Sequence, residues 1–156
     1  VPPVRQVGNL RVTIRSNRIP QVAAAIAANA KTTVDAAAVS LQTLASQLAP
    51  VDTGALRSSI YVNTGDTSDY MTRVGTAQQL NRDMEPLDEI DPEFVIALGT
   101  TPGPNARIVV VGVAAHYGLF QEEGTVFQPP QSFMRPAAEA TASEFEAAMH
   151  HIADNV

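Results

Sequence analysis

The stretch from Ile19 to Leu48 limits the possible folds of this chain more than any other. Val22, Ile26, Ala30, Val34, Ala37, Leu41, Leu44 and Leu48 recur at three- or four-residue intervals, the spacing of one apolar helical face. Pro20 suits a first helical turn, where no acceptor awaits its missing N–H, and Pro50 ends the run. The expected helix is about 45 Å long at 1.5 Å per residue. Its many alanines let a neighbour approach closely. The chain's own sheet is the expected cover for this face, and part of so long a helix is available to a neighbouring subunit.

A second organising stretch, residues 107–138, reads strand, short helix, rigid loop, helix. Ile108 to Val113 is apolar and β-branched, which predicts a buried strand. Gly112, Gly118 and Gly124 punctuate the stretch at regular intervals, and Gln128-Pro129-Pro130-Gln131 cannot be regular helix. Pro136 suits the start of a helix running to Asp154, with Ala137, Ala140, Phe145, Ala148, Met149 and Ile152 on its apolar face.

Between these stretches, Asp52 is expected to cap a short helix over 53–59. Ser59–Asn63 and Tyr70–Gly75 are expected to be strands joined by the turn residues 64–69, with a further strand at Phe94–Leu98 and a stiff turn at Thr101–Asn105. Leu10, Val12 and Ile14 alternate with Arg11, Thr13 and Arg15, a half-buried strand with a basic outer face. The expected fold class is therefore α+β: a mostly antiparallel sheet of about five strands, with a long N-terminal helix and a C-terminal helix. Residues 1–156 are read as a single domain, with 76–106 as an insertion carrying an acidic loop.

Charge is unevenly placed. Five cations precede the first acid, Asp35, and the remainder carries five arginines against 16 acids, so a net charge of −6 divides into +5 and −11. Six acids fall in one loop, at Asp83, Glu85, Asp88, Glu89, Asp91 and Glu93. The acidic balance argues against tight DNA binding, which depends on neutralising phosphates. The absence of cysteine excludes disulfides and zinc–thiolate sites. The Ala-rich stretch 22–30 is cut by Asn29 and Lys31, so no membrane span and no membrane partner are expected. The N-terminus lacks the charged-then-apolar pattern of a secretory leader, and the absence of cysteine is compatible with assembly in the cytoplasm.

Catalytic and metal signals are weak. Asp52-Thr53-Gly54-Ala55 matches the loop of retroviral-type aspartic proteases, in which two subunits each donate one carboxylate. That loop follows a strand, however, whereas Asp52 follows a helix and Pro50. Asp88, Asp91 and Glu93 lack the spacing and central Gly of a calcium loop. His150 and Asp154 stand at i, i+4 with no third ligand, and His116 has no nucleophile or acid at a recognisable spacing. No phosphate-cradling loop or nucleophile elbow occurs. No enzyme activity, catalytic residue, cofactor or metal is expected.

Two stretches carry a resemblance. Residues 50–60, PVDTGALRSSI, and the later HYGLFQEEGT…PPQSFMRPA resemble the tail-completion, or head–tail joining, family of long-tailed bacteriophages. The later match consists of Tyr117, Phe120, Glu123, Gly124, Thr125, Pro129, Pro130, Phe133, Met134, Arg135, Pro136 and Ala137. The resemblance covers well under half the chain, and residues 1–19 and 76–106 have no counterpart in it. It implies a structural virion protein forming a ring in the phage neck, between a head-side connector or stopper and the tail terminator or tail tube. DNA would pass through the lumen without specific binding. A hexamer is expected, since long tails have six-fold tubes. A tail terminator or head-closure protein of the same neck is the alternative.

Closed rings use heterologous contacts. The basic strand, with Arg11 and Arg15 as donors, and the acidic loop, with Asp83, Glu85, Asp88 and Glu89, are complementary faces for such a contact. Negative walls elsewhere would let DNA slide. In the stiff loop, Phe127, Phe133 and Met134 are candidates for docking to another ring, or else, for Phe133 and Met134, for plugging the subunit's own core.

Overall fold

The structure is a computed structural model and describes residues 4–7, 10–13, 17–92 and 107–154. In order, the elements are β1 (Val4–Val7), β2 (Leu10–Thr13), α1 (Ile19–Leu48), α2 (Ala55–Ser58), β3 (Ile60–Asn63), α3 (Tyr70–Leu80), β4 (Val110–Val113), α4 (Gly118–Glu123) and α5 (Met134–Asp154).

The strands form two separate antiparallel pairs, β1 with β2 and β3 with β4. A mostly antiparallel sheet of about five strands is thus not what these residues build: among the described residues the body is mainly helical, around the β3–β4 ribbon. The main departure is α3, which occupies the expected strand Tyr70–Gly75. Tyr70, Val74 and Ala77 fall on one helical face, and all three go to the interior: Val74 and Ala77 are buried, and Tyr70 packs edge-on to Tyr61 at 5.1 Å. The expected strand Phe94–Leu98 and the turn at 101–105 lie outside the described residues.

Within the ribbon Tyr61 faces Gly112. A Cβ on Gly112 would come within 2.5 Å of the Tyr61 ring, so this glycine makes room for the aromatic to lie flat on β4. The Tyr61 hydroxyl accepts the Ile90 N–H at 3.0 Å. Burial pushes the Tyr61 pKa up, although that N–H works against it.

α1 and α5 run antiparallel, with the first half of α5 (Ala137, Thr141) against the second half of α1. The core is small and rich in alanine: Ala45, Ala49, Ala55 and Ala137 bring helices close around Leu56, Ile60, Met84 and Phe133. Buried Gln42 ties the layers together, its Nε2 donating to the Ile60 carbonyl at 2.9 Å and to Asp69 at 3.0 Å. Asp69 also accepts from the Val62 N–H and from Arg73. Burial raises its pKa, but the bonds from Arg73, Val62 and Gln42 outweigh that and hold it below the ordinary value.

Full burial on α1 is confined to its second half, and cover thins toward the N-terminus. Its buried residues are Ala38, Gln42 and Ala45. α1 has 30 residues and α5 has 21, so α1 is the longer by about 14 Å. Ile19 is 76% and Val22 42% exposed, on the same stripe that packs lower down. Asp35 anchors the junction, paired with Arg107, which also reaches Asp66 at 2.8 Å; Lys31 joins Asp66 at 3.0 Å.

Candidate docking surfaces

The loop between α4 and α5 is built around Glu122. Its carboxylate accepts the N–H groups of Phe133 (2.8 Å), Met134 (2.9 Å) and Arg135 (2.9 Å), the free donors at the start of α5. A residue on the preceding helix thus caps α5 across the loop. Burial raises the Glu122 pKa, but the three N–H donors and Arg135 outweigh it and hold the carboxyl below its ordinary value. The Ser132 hydroxyl donates to the Glu122 carbonyl, and Arg135 pairs with Glu123 at 2.8 Å. Gly124 closes α4 at φ 77°, and a Cβ there would come within 2.7 Å of the Pro130 nitrogen. From this base a tight turn projects. Thr125 and Gln128 exchange backbone hydrogen bonds, and the Thr125 hydroxyl accepts the Phe127 and Gln128 N–H groups.

The three expected docking residues divide here. Phe127 stands at the tip, 98% exposed, beside Val126 at 96%. Phe133 is fully buried and plugs the domain's own core, and Met134, partly buried, packs against that core. Leu119 and Phe120, on the exposed side of α4, extend the apolar area, a feature that the glycine spacing of this stretch does not mark.

The two stretches that carry the phage resemblance, some sixty residues apart, meet in one cleft. Pro50, Val51, Asp52, Thr53 and Gly54 line one side, and Tyr117, Gln121, Gln128 and Gln131 the other, enclosing about 490 Å³. Burial pushes the Tyr117 pKa up, against a hydrogen bond from Asn81, and nearby Asp52 pushes it the same way. Asp52 does not cap α2 as expected. The N-cap is Gly54 at φ 83°, with no side-chain cap bond, and the Thr53 hydroxyl accepts the Ala55 N–H at 3.3 Å. Asp52 is the one carboxylate among the residues lining this cleft.

The acidic segment is exposed in its side chains but tied down by its backbone. Residues 76–80 continue α3, and 84–90 run as a strap along β4 and β3. Met84 is buried; Leu87 N–H donates to the Ala114 carbonyl at 2.7 Å, and His116 N–H to the Glu85 carbonyl at 3.2 Å. Glu89 is held by Asn63 and by the Ser68 hydroxyl, and the Tyr70 hydroxyl donates to the Leu87 carbonyl. Asp83, Glu85 and Asp88 remain exposed beside Leu87 (48%) and Ile90 (42%). Of the proposed basic donors, Arg11 is described only in its β2 backbone and Arg15 lies outside the described residues. Among the described residues no three His, Asp or Glu side chains cluster as a metal site, and no helix is long and apolar enough to cross a membrane.

Compared with known proteins, the chain has no match among family models, curated proteins or solved structures.

Proposed function

We propose that this chain is a structural subunit of a bacteriophage neck, assembling as a ring, with six copies as the expected number, that joins the head-side connector to the tail while DNA passes through. The observation that carries this reading is the form of the segment bearing the resemblance. Its base is locked: Glu122 caps α5, and Gly124 fits under Pro130. The segment's outward offering is a bare apolar tip, Val126 and Phe127, on a stiff base. A side chain held that rigidly loses little entropy on docking, which suits a contact between rings. The sheet implied by the resemblance gives no support, since the strands form two separate pairs. The reading rests on the two sequence stretches, their meeting in one cleft, and the apolar surface left for other chains.

The test is genetic and morphological. Particles made without this protein are expected to accumulate as filled heads and separate tails, and Phe127→Asp is expected to reproduce that defect with the protein still folded. Normally joined particles in its absence would overturn the proposal. Asp52→Asn is expected to leave joining intact, because no peptide bond is cut.

A further inference from the structure

The stripe of α1 that packs on α5 at Ala38 and Ala45 continues toward the N-terminus through Ala30, Ile26, Val22 and Ile19. At its first turns Arg18, Ile19, Val22, Ala23 and Ile26 line a shallow apolar depression in which Ile19 and Val22 are exposed, while Ala23 and Ile26 also border a second hollow shared with Met149 of α5. Arg18 is exposed at its end, and α1 carries no acid before Asp35. This surface is apolar with a positive edge.

The strap at 83–90 has the opposite character. Leu87 lies half-exposed between the exposed carboxylates of Glu85 and Asp88, and Ile90 is half-exposed two residues beyond Asp88. Its backbone is fixed by bonds to Ala114, His116 and the Tyr61 hydroxyl, so it presents these side chains in a set order. The exposure of Ile19 and Val22 shows that the chain's own strap does not cover them.

We infer that the exposed start of α1 is the seat for the acidic strap of a second copy, Leu87 and Ile90 entering the apolar depression while Glu85 and Asp88 face Arg18. Apolar surface meets apolar surface, and opposite charges lie at the rim, where they set orientation and encounter rate more than affinity. The two surfaces are different parts of one chain, so the contact is heterologous and repeats from copy to copy until a ring closes. The inference rests on the ring reading and gives it a specific interface. It replaces the basic strand at Arg11 and Arg15 with the helix that comes after it.

The chain has no cysteine, so introduced thiols are unique. Val22→Cys and Leu87→Cys chains of distinguishable mass are mixed under mild oxidation. The 22–87 product is expected to exceed the statistical proportion, with 22–22 and 87–87 products below it. Arg18→Glu in the first chain is expected to lower the 22–87 yield about five-fold, the scale of one exposed ion pair, and Asp88→Arg in the second to restore part of it. A statistical mixture, or an excess of 22–22, overturns the inference. Sedimentation of the unmodified protein separates the two levels. Assemblies without a 22–87 preference sink the interface and leave the ring standing; a single-copy species at every concentration, with no cross-linking, sinks both.

Discussion

The two halves of α1 are both rich in alanine but differ in how far they are buried. From Asp35 to Leu48 the helix is held by tertiary contacts: Ala38, Gln42 and Ala45 are buried, and Gln42 bridges to β3 and Asp69. From Ile19 to Asn29 tertiary support is sparse, and the helix leans on alanine's intrinsic preference and on continuation from the anchored part, since the nucleation cost is already met there. The same contrast recurs between two phenylalanines six residues apart. Phe133 is sealed in the core while Phe127 is bare. In both pairs one member is built into the core and the other stays exposed.

The largest effect should separate the phenylalanines. Phe133→Ala is expected to cost about 3–5 kcal/mol in denaturant unfolding, the range for emptying a filled aromatic site. Phe127→Ala should stay within about 0.5 kcal/mol. Equal costs would mean that the tip is part of the fold and not a docking element.

The next test concerns the base of the tip. Glu122→Gln keeps the shape and removes the charge that three N–H donors share, so a loss of about 1–3 kcal/mol is expected. Its pH dependence has a definite sign. Glu122 and Asp69 both titrate below their ordinary range when folded, so their contribution is complete above the unfolded-state values and disappears as pH falls through the folded ones. The melting temperature should be nearly level above about pH 5 and decline below it. Glu122→Gln and Asp69→Asn should each flatten part of that decline. An unchanged acid limb in both variants would remove these carboxylates from the account.

Legibility in the sequence depends on the range of the interaction concerned. α1 is legible because its periodicity and flanking prolines are local, but periodicity reports an apolar stripe and not what covers it. α3 reads wrongly as a strand because Tyr70, Thr72 and Val74 favour strands, while the helical spacing of Tyr70, Val74 and Ala77 needs the interior position to show itself. The capping of α5 by Glu122 escapes because capping rules look within one turn, and this carboxylate arrives from twelve residues earlier than Met134. Asp52 fails as a cap for the reverse reason: Gly54 takes the left-handed N-cap position, leaving the local rule nothing to act on. The strap is legible as an acidic loop, but composition records its charges and not the backbone bonds to Ala114 and His116. The phage resemblance picks out the stretches that form the cleft and the tip, and leaves the surface of α1 unmarked.

The smallest predicted effect bears most directly on the two halves of the long helix. Glycine in place of alanine weakens a helix interior by about 1 kcal/mol. At Ala45, on the covered half, that change also removes a buried methyl and should appear in full in global unfolding. At Ala24, exposed on the thinly covered half, the first turns can open without disturbing the core, so the cost belongs to a local equilibrium. Global stability should then be almost unchanged, while amide exchange across residues 22–30 speeds up by about five-fold, the factor that 1 kcal/mol represents. In the ring proposed above, assembly should reverse this. Once a neighbour seats on the stripe, the same amides can open only when that contact releases, and Ala24→Gly should cost stability in the assembled state that it does not cost in the isolated subunit. If exchange in the first half of α1 were as slow as in the second half before assembly, the helix would already be covered within its own chain.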